Sequence, residues 1–304
     1  MFRKCLFSMA GFAAFWFLAS WLAGCFLLPG MLLHGPLPAR TAAQRQGLRA
    51  EYCPVGCIWT STTLKGGEGV PLELWRLHRP VSKGVAVILH GFGDDAWGGV
   101  SRSQDLPEWD IAVFTFRGRD RHPEVPCTLG GWERRDVAVV VQHLETTGTP
   151  RSRILIVAAS QGAGVALLAL SDLEKTEGPL GGALLECPYR DLADAARNHV
   201  KGTLGAMAWL ARPAEWIALR RAGTLAHFDP AEVSPEHASR GLRTPVALLT
   251  GDDDPITPLD GVRAIARHCP DLTIVPHAGH CEAGSRIPGG WRHWAETRMR
   301  MWGL

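Results

Sequence analysis

The chain has 304 residues, 32 basic and 30 acidic side chains, a net charge of +2 and 46% hydrophobic residues. Beyond a leader this is the size of one α/β domain, large enough to bury a core without staples. The near-neutral balance weighs against nucleic acid or a charged polymer as partner and suits a neutral, apolar substrate.

The chain opens on Arg3 and Lys4, then runs uncharged and apolar from residue 5 to residue 23. A short positive head and an apolar stretch have the shape of a bacterial export signal. The stretch ends Leu22-Ala23-Gly24-Cys25, which resembles the lipobox of bacterial lipoproteins. The resemblance implies cleavage before Cys25 and acylation there, with residues 1–24 as signal peptide and residues 25–50 as lipid anchor and linker. Each buried methylene of an acyl chain adds about 0.8 kcal/mol to anchoring. The alternative is an uncleaved membrane helix, since residues 5–28 are long enough to span a bilayer. Either reading places residues 34–304 in a bacterial cell envelope, facing the periplasm or exterior. Phe26 stands where Asp, in that family, marks inner-membrane retention, so the outer membrane is favoured.

His34-Gly35-Pro36-Leu37-Pro38 and the polar residues to position 50 read as a tether. Residues 58–63 and 72–77 alternate and read as an antiparallel edge. Apolar runs follow at 85–89, 111–116, 154–158, 183–185, 246–250 and 272–275. Near-continuous apolar runs are the pattern of parallel strands buried on both faces. Between them Val137, Val140, Val141 and Leu144 share one helical face. Residues 161–170 are apolar nearly all round, as a central helix must be. Thr257-Pro258 reads as a helix cap with proline at the first helical position. The last helix carries Trp291 and Trp294, with Trp302 beyond. Alternating strands and helices predict a doubly wound, mostly parallel sheet with helices on both faces. Residues 189–240 interrupt the alternation, and 199–222 read as a helix with Leu204, Met207, Trp216 and Leu219 on its apolar stripe. This is expected to form a small helical cap; a plain structural helix and a membrane-resting amphipathic helix are the alternatives.

Ser160 lies between the apolar run 154–159 and the small-residue helix start Gln161-Gly162-Ala163-Gly164. Strand, sharp turn and buried helix in that order lift a serine hydroxyl off the top of a sheet. A serine is a poor nucleophile without a base, an acid to orient the base, and donors for the oxyanion. Candidate acids follow the run at 246–250, in Asp252-Asp253-Asp254; candidate bases, His277 and His280, follow the run at 272–275.

Ala158-Ala159-Ser160-Gln161-Gly162 resembles the small-x-Ser-x-small elbow of the α/β-hydrolase superfamily, with Ala158 where Gly is commonest. The similarity covers about residues 55–304 of a domain expected over residues 51–304, and is greatest to the bacterial esterases related to prolyl-oligopeptidase-like and serine-aminopeptidase-like enzymes. It implies an α/β-hydrolase fold with Asp254 as acid, from the Gly-x-x-Asp pattern Gly251-Asp252-Asp253-Asp254, and His280 as base, directly after Gly279. The oxyanion donors it implies are the amides of Gln161 and of Phe92, in His90-Gly91-Phe92. His90 is expected to brace that loop, and Asp94 and Asp95 to be solvated, with substrate binding as their alternative role.

These readings predict a serine hydrolase that cleaves carboxylic esters, held at a membrane by an N-terminal lipid anchor, with no cofactor and no metal. The alternatives are a peptidase, amidase or acyltransferase on the same fold, or a binding lipoprotein without activity. Beyond Cys5 and Cys25, six cysteines remain: Cys53, Cys57, Cys127, Cys187, Cys269 and Cys281. Their pairing is open, with Cys53 and Cys57 close enough to bridge locally. None shows the spacing of a metal site.

Overall fold

The computed structural model describes residues 2–36, 40–119 and 122–304, with side chains described from residue 11 onward, residue 13 excepted. Leu37, Pro38 and the side chains of Arg3 and Lys4 lie outside the described residues. The leader is helical: α1 (Phe2–Leu22), a wider π turn (Ala23–Leu27) and α2 (Leu28–Leu33). Residues Ala14–Leu33 are long and apolar enough to cross a membrane. Next come α3 (Ala42–Glu51), β1 (Ile58–Lys65), β2 (Pro71–His78), β3 (Val85–Leu89) and β4 (Asp110–Phe114). Then follow α4 (Glu133–Thr146), β5 (Ile154–Ala159), α5 (Gln161–Thr176), β6 (Gly182–Glu186) and α6 (Leu192–Leu204). The chain continues with α7 (Arg212–Ala226), the short α8 (Pro235–Ala238), β7 (Val246–Gly251) and α9 (Leu259–Ala266). It closes with β8 (Asp271–Val275), the short α10 (Ala283–Arg286) and α11 (Gly290–Met301).

The eight strands form one sheet in the order β1-β2-β4-β3-β5-β6-β7-β8. β1 pairs antiparallel with β2, and β2 with β4; all other pairs are parallel. The period-two alternation of side chains divides the apolar strands between two cores. Val85, Val87 and Leu89 of β3 and Ile154 and Ile156 of β5 pack with α4, α5 and α9. Ala86, Ile88, Leu155 and Val157 point the other way, into a layer with Trp97, Trp109, Trp291 and Trp294. The continuous apolar runs follow from this: each strand fills cores on both faces. Burying each large side chain contributes about 1.5–3 kcal/mol.

Two expectations require correction. The region 199–222 is not one helix: Gly205, at φ 55, ends α6, and a 3-10 stretch (Gly205–Ala211) leads into α7. Leu204, Met207 and Trp216 of its expected apolar stripe stay exposed, whereas Leu219 packs beside Leu168 and Tyr189. The leader and tether, read as lying outside the fold, pack on the domain. Leu33 is buried with Ala222 and Ala226 of α7, Cys127 donates its N–H to the Leu33 carbonyl at 2.8 Å, and the Trp16 indole donates to the Leu210 carbonyl at 2.9 Å. A Cβ on Gly24 would lie 2.7 Å from the Ile217 side chain, so only glycine lets the π turn approach α7 this closely. The tether holds α3, opened by a capping box in which Thr41 and Gln44 satisfy each other's backbone N–H.

Beneath α4, Arg117 grips Asp136 through two bonds, Nε to Oδ2 at 2.8 Å and Nη2 to Oδ1 at 2.6 Å. Both side chains are buried. Removing one partner of a buried ion pair strands the other charge, at a cost of about 3–5 kcal/mol. Arg117→Leu should therefore lower the unfolding free energy from urea titration by that amount, and adding Asp136→Leu should recover most of it, as read by circular dichroism.

Candidate active site

The carboxyl ends of β5, β7 and β8 bring together three residues that are far apart in sequence. Ser160 occupies the turn between β5 and α5 with φ 52 and ψ −117. A positive φ is strained for a residue with a Cβ, and here the surroundings enforce it. The Ser160 N–H is taken by the Glu186 carbonyl at 2.9 Å, and the Ser160 carbonyl accepts from Gly164 at 3.1 Å. Gly162 lets α5 start close against β3: a Cβ there would stand 2.5 Å from the Leu89 carbonyl oxygen.

His280 points Nε2 at the Ser160 hydroxyl, 2.9 Å away, and Nδ1 at Asp254 Oδ2, 2.8 Å away. Asp254 is buried and fully engaged. Its Oδ1 accepts the N–H groups of Ile256 and Thr257, both at 2.8 Å, and its Oδ2 accepts the Thr257 hydroxyl at 2.7 Å. Burial opposes its charge, but the bonds from His280 and Thr257 win and hold the carboxyl below its ordinary range. Burial likewise opposes the imidazolium of His280. Hydrogen bonds to Asp254 and Cys281 outweigh it and raise that pKa to about 10. The neighbours Asp252 and Asp253 turn away: Asp252 accepts the His277 N–H at 2.6 Å, and Asp253 lies 3.5 Å from the exposed His277 ring.

The start of α5 and the loop of Gly91 and Phe92 flank the serine. Gln161 begins α5, where an opening N–H has no carbonyl inside the helix to take it. Phe92 sits in the tight turn that Asp94 N–H closes onto the Gly91 carbonyl at 3.3 Å. A Cβ on Gly91 would be 3.7 Å from that of Ser160, so this loop lies directly against the nucleophile turn. His90 holds the loop. Its Nε2 accepts the Phe116 N–H at 2.9 Å, so Nδ1 carries the proton and donates to the Gly91 carbonyl at 2.8 Å. Burial lowers its pKa to about 4 and keeps it neutral.

Several residues here were misread or unseen in the sequence. Asp95 is fully buried, not solvated; it binds Arg40 at 3.0 Å and Arg45 at 3.2 Å. Arg40 also bonds Asp94. The tether is thus fastened to the loop that carries Phe92. Arg119 adds a bond from Nη1 to the Pro36 carbonyl at 2.7 Å. Thr257 is no helix cap: α9 starts at Leu259 with Pro258 as its cap, and the Thr257 hydroxyl serves Asp254. Glu186, buried at the end of β6, accepts the Gly284 N–H at 2.7 Å and lies 3.4 Å from Arg102. It ties the segment after His280 to the sheet.

The fold also assembles a cluster that sequence spacing did not show. The donor atoms of Cys187, His280 and Cys281 lie within 4.8 Å of one another, near enough to share a metal ion. A second group, Asp252, Asp253 and His277, is exposed. Two clefts, of about 750 and 430 Å³, are lined by Trp132, Arg220 and Phe228 and by Arg49, Trp75 and Arg117 respectively, and neither includes Ser160, Asp254 or His280.

Comparison with known proteins agrees with this architecture. A search of curated proteins gives no match. Among solved structures, an esterase of Pyrococcus furiosus superposes with TM-score 0.63 at 15% identity, over 88% of this chain and 99% of that one. A thermophilic esterase of Thermogutta terrifontis gives 0.55 at 18%, over 81% and 100%. A puromycin-hydrolysing peptidase of Mycobacterium tuberculosis gives 0.57 at 17%, over 81% and 39%. At these identities the likeness is one of fold. The description "Alpha/beta hydrolase family" matches residues 86–286, two thirds of the sequence and every strand from β4 to β8, and the chain belongs to that family.

Proposed function

We propose that the protein is a serine hydrolase that cleaves carboxylic esters through an acyl-enzyme, held at the bacterial envelope by a lipid on Cys25 once residues 1–24 are removed, or, if they are kept, by the uncleaved apolar helix itself. The unbroken chain of contacts from Ser160 through His280 to Asp254, at 2.9 and 2.8 Å, carries this reading. In it, neutral His280 takes the proton of Ser160 as the hydroxyl attacks the ester carbonyl. Asp254 holds the imidazole with Nδ1–H toward its carboxylate and stabilises the imidazolium that forms. The amides of Phe92 and Gln161 receive the negative charge that grows on the carbonyl oxygen. His280 then returns its proton to the leaving alcohol, and water deacylates the serine by the same steps in reverse. Esters are the substrate class proposed in preference to peptides. Two of the structural relatives are described as esterases, which supports the same choice.

With p-nitrophenyl esters of graded chain length, the full-length protein in detergent should show turnover with saturable kinetics. Ser160→Ala should reduce kcat/KM by about ten-thousandfold or more. Equal turnover by the alanine variant would refute the proposal.

Thr257 is a positioning residue in this mechanism. Thr257→Val removes the hydroxyl that pins Asp254 Oδ2 and should lower kcat about tenfold with little change in KM, because the loss is felt in orienting the base. Thr257→Ser should restore the rate. Steady-state kinetics on the three proteins checks both outcomes.

A further inference from the structure

Beside the base lie two thiols that the hydrolytic mechanism does not use. Cys187 follows β6 and Cys281 follows His280, so they are 94 residues apart in sequence, yet their sulfurs lie 3.1 Å apart. Both backbones are in the left-handed region, with φ 44 and φ 58, unusual for residues with a Cβ. Cys187 is held by its N–H bond to the Leu249 carbonyl at 2.8 Å. Cys187 is buried and Cys281 is exposed. We propose that Cys187 and Cys281 form a redox pair that closes to a disulfide, and that closure releases His280 to act as the base.

This rests on the assignment of His280 as the base of the proposed hydrolase. The reaction is thiol–disulfide exchange with a donor disulfide, either an oxidised dithiol oxidoreductase or a low-molecular-weight disulfide. The Cys281 thiolate attacks one donor sulfur and expels the other as a thiolate, giving a mixed disulfide. Cys187 then loses its proton and attacks the Cys281 sulfur, expelling the second donor thiolate. The two cysteines lose two electrons and two protons in all, and the donor disulfide becomes two thiols. The sulfurs need only close from 3.1 Å to the bonded distance of about 2.05 Å. The exposed cysteine meets the donor, and the buried one resolves the intermediate.

Electrostatics supports the consequence for catalysis. The bond with Cys187 lowers the Cys281 pKa, desolvation of the sulfur opposes this although the residue as a whole is exposed, and His280 adds to the lowering; the result is about 6. Burial, and then the neighbouring Cys281, raise the Cys187 pKa well above its ordinary value. The other charges facing the pair are Asp254 and Glu186, the latter partnered by Arg102. The Cys281 sulfur lies within 4.8 Å of a His280 ring nitrogen, so in the reduced protein its thiolate form, favoured by these contacts, helps hold the imidazolium's proton, with the His280 pKa raised to about 10. A base must be deprotonated to act, so activity in the reduced form climbs with pH toward that value. A disulfide carries no charge, so oxidation removes one of the two anions that hold the proton and moves the rising limb to lower pH.

The test uses full-length protein in detergent, poised with oxidised or reduced glutathione. Free thiols are alkylated and the protein is digested for mass spectrometry, and a parallel sample is assayed for p-nitrophenyl butyrate turnover from pH 6 to 10. A Cys187–Cys281 linked peptide in the oxidised sample, with turnover at pH 7 about tenfold or more above the reduced sample, is the expected result. Cys281→Ala should be insensitive to glutathione. Absence of the linked peptide in folded oxidised protein overturns the pair. A linked peptide with identical pH profiles overturns its coupling to His280. Recovery of the reduced protein's rate by a chelator would also overturn that coupling, placing a metal on Cys187, His280 and Cys281 instead. If neither state turns over ester, the hydrolase assignment fails and the coupling with it, while the linked peptide still reports whether the disulfide forms.

Discussion

The backbone of Ser160 is the constraint on which the rest of the site depends. A residue with a Cβ held at φ 52 and ψ −117 costs about 1–3 kcal/mol and persists only where its neighbours leave it no alternative. The neighbours do so by adjacency. β5 is locked between β3 and β6, the Ser160 N–H is spent on the Glu186 carbonyl, and α5 must start at once because Gly162 lets it abut the Leu89 carbonyl. The strain aims the hydroxyl above the sheet, toward the one imidazole within reach among the described residues, and leaves the first amide of α5 beside it.

The supporting residues act on position more than on charge. Asp254 is fixed by two backbone N–H groups and one hydroxyl before it meets His280, so its carboxylate has a single orientation to offer. His90, neutral and buried, uses both ring nitrogens to brace the loop of Phe92. Arg40 and Arg45 clamp Asp95 on the same loop, which links the tether to the loop that lies against Ser160. Leader and tether are thus joined to the domain by apolar packing on α7, by hydrogen bonds at Trp16, Leu33 and Pro36 and by this charged clamp.

The parallel sheet was legible because burial on both faces leaves an unmistakable apolar run, as in residues 85–89 and 154–158. Ser160 was legible because its strand, turn and helix are contiguous. Asp254 and His280 needed a family pattern, since nothing local separates them from Asp252, Asp253 or His277. What stayed hidden depends on contacts across the chain. The Thr257 hydroxyl looks like a cap until Asp254 is seen to claim it. Asp95 looks solvated until Arg40 and Arg45 arrive from 50 and more residues upstream. Cys187 and Cys281 become neighbours only when β6 and the segment after β8 meet at the same end of the sheet. Gly205 did carry a local signal for the break after α6, which the apolar stripe around it masked.

The most direct test of the account is to expose the folded full-length protein to a fluorophosphonate, which reacts with an activated serine hydroxyl, and to locate the adduct by peptide mass spectrometry. The account predicts one stoichiometric adduct, on Ser160, lost in His280→Ala. A folded protein that takes up no label, or that is labelled elsewhere with Ser160 unmodified, would contradict it.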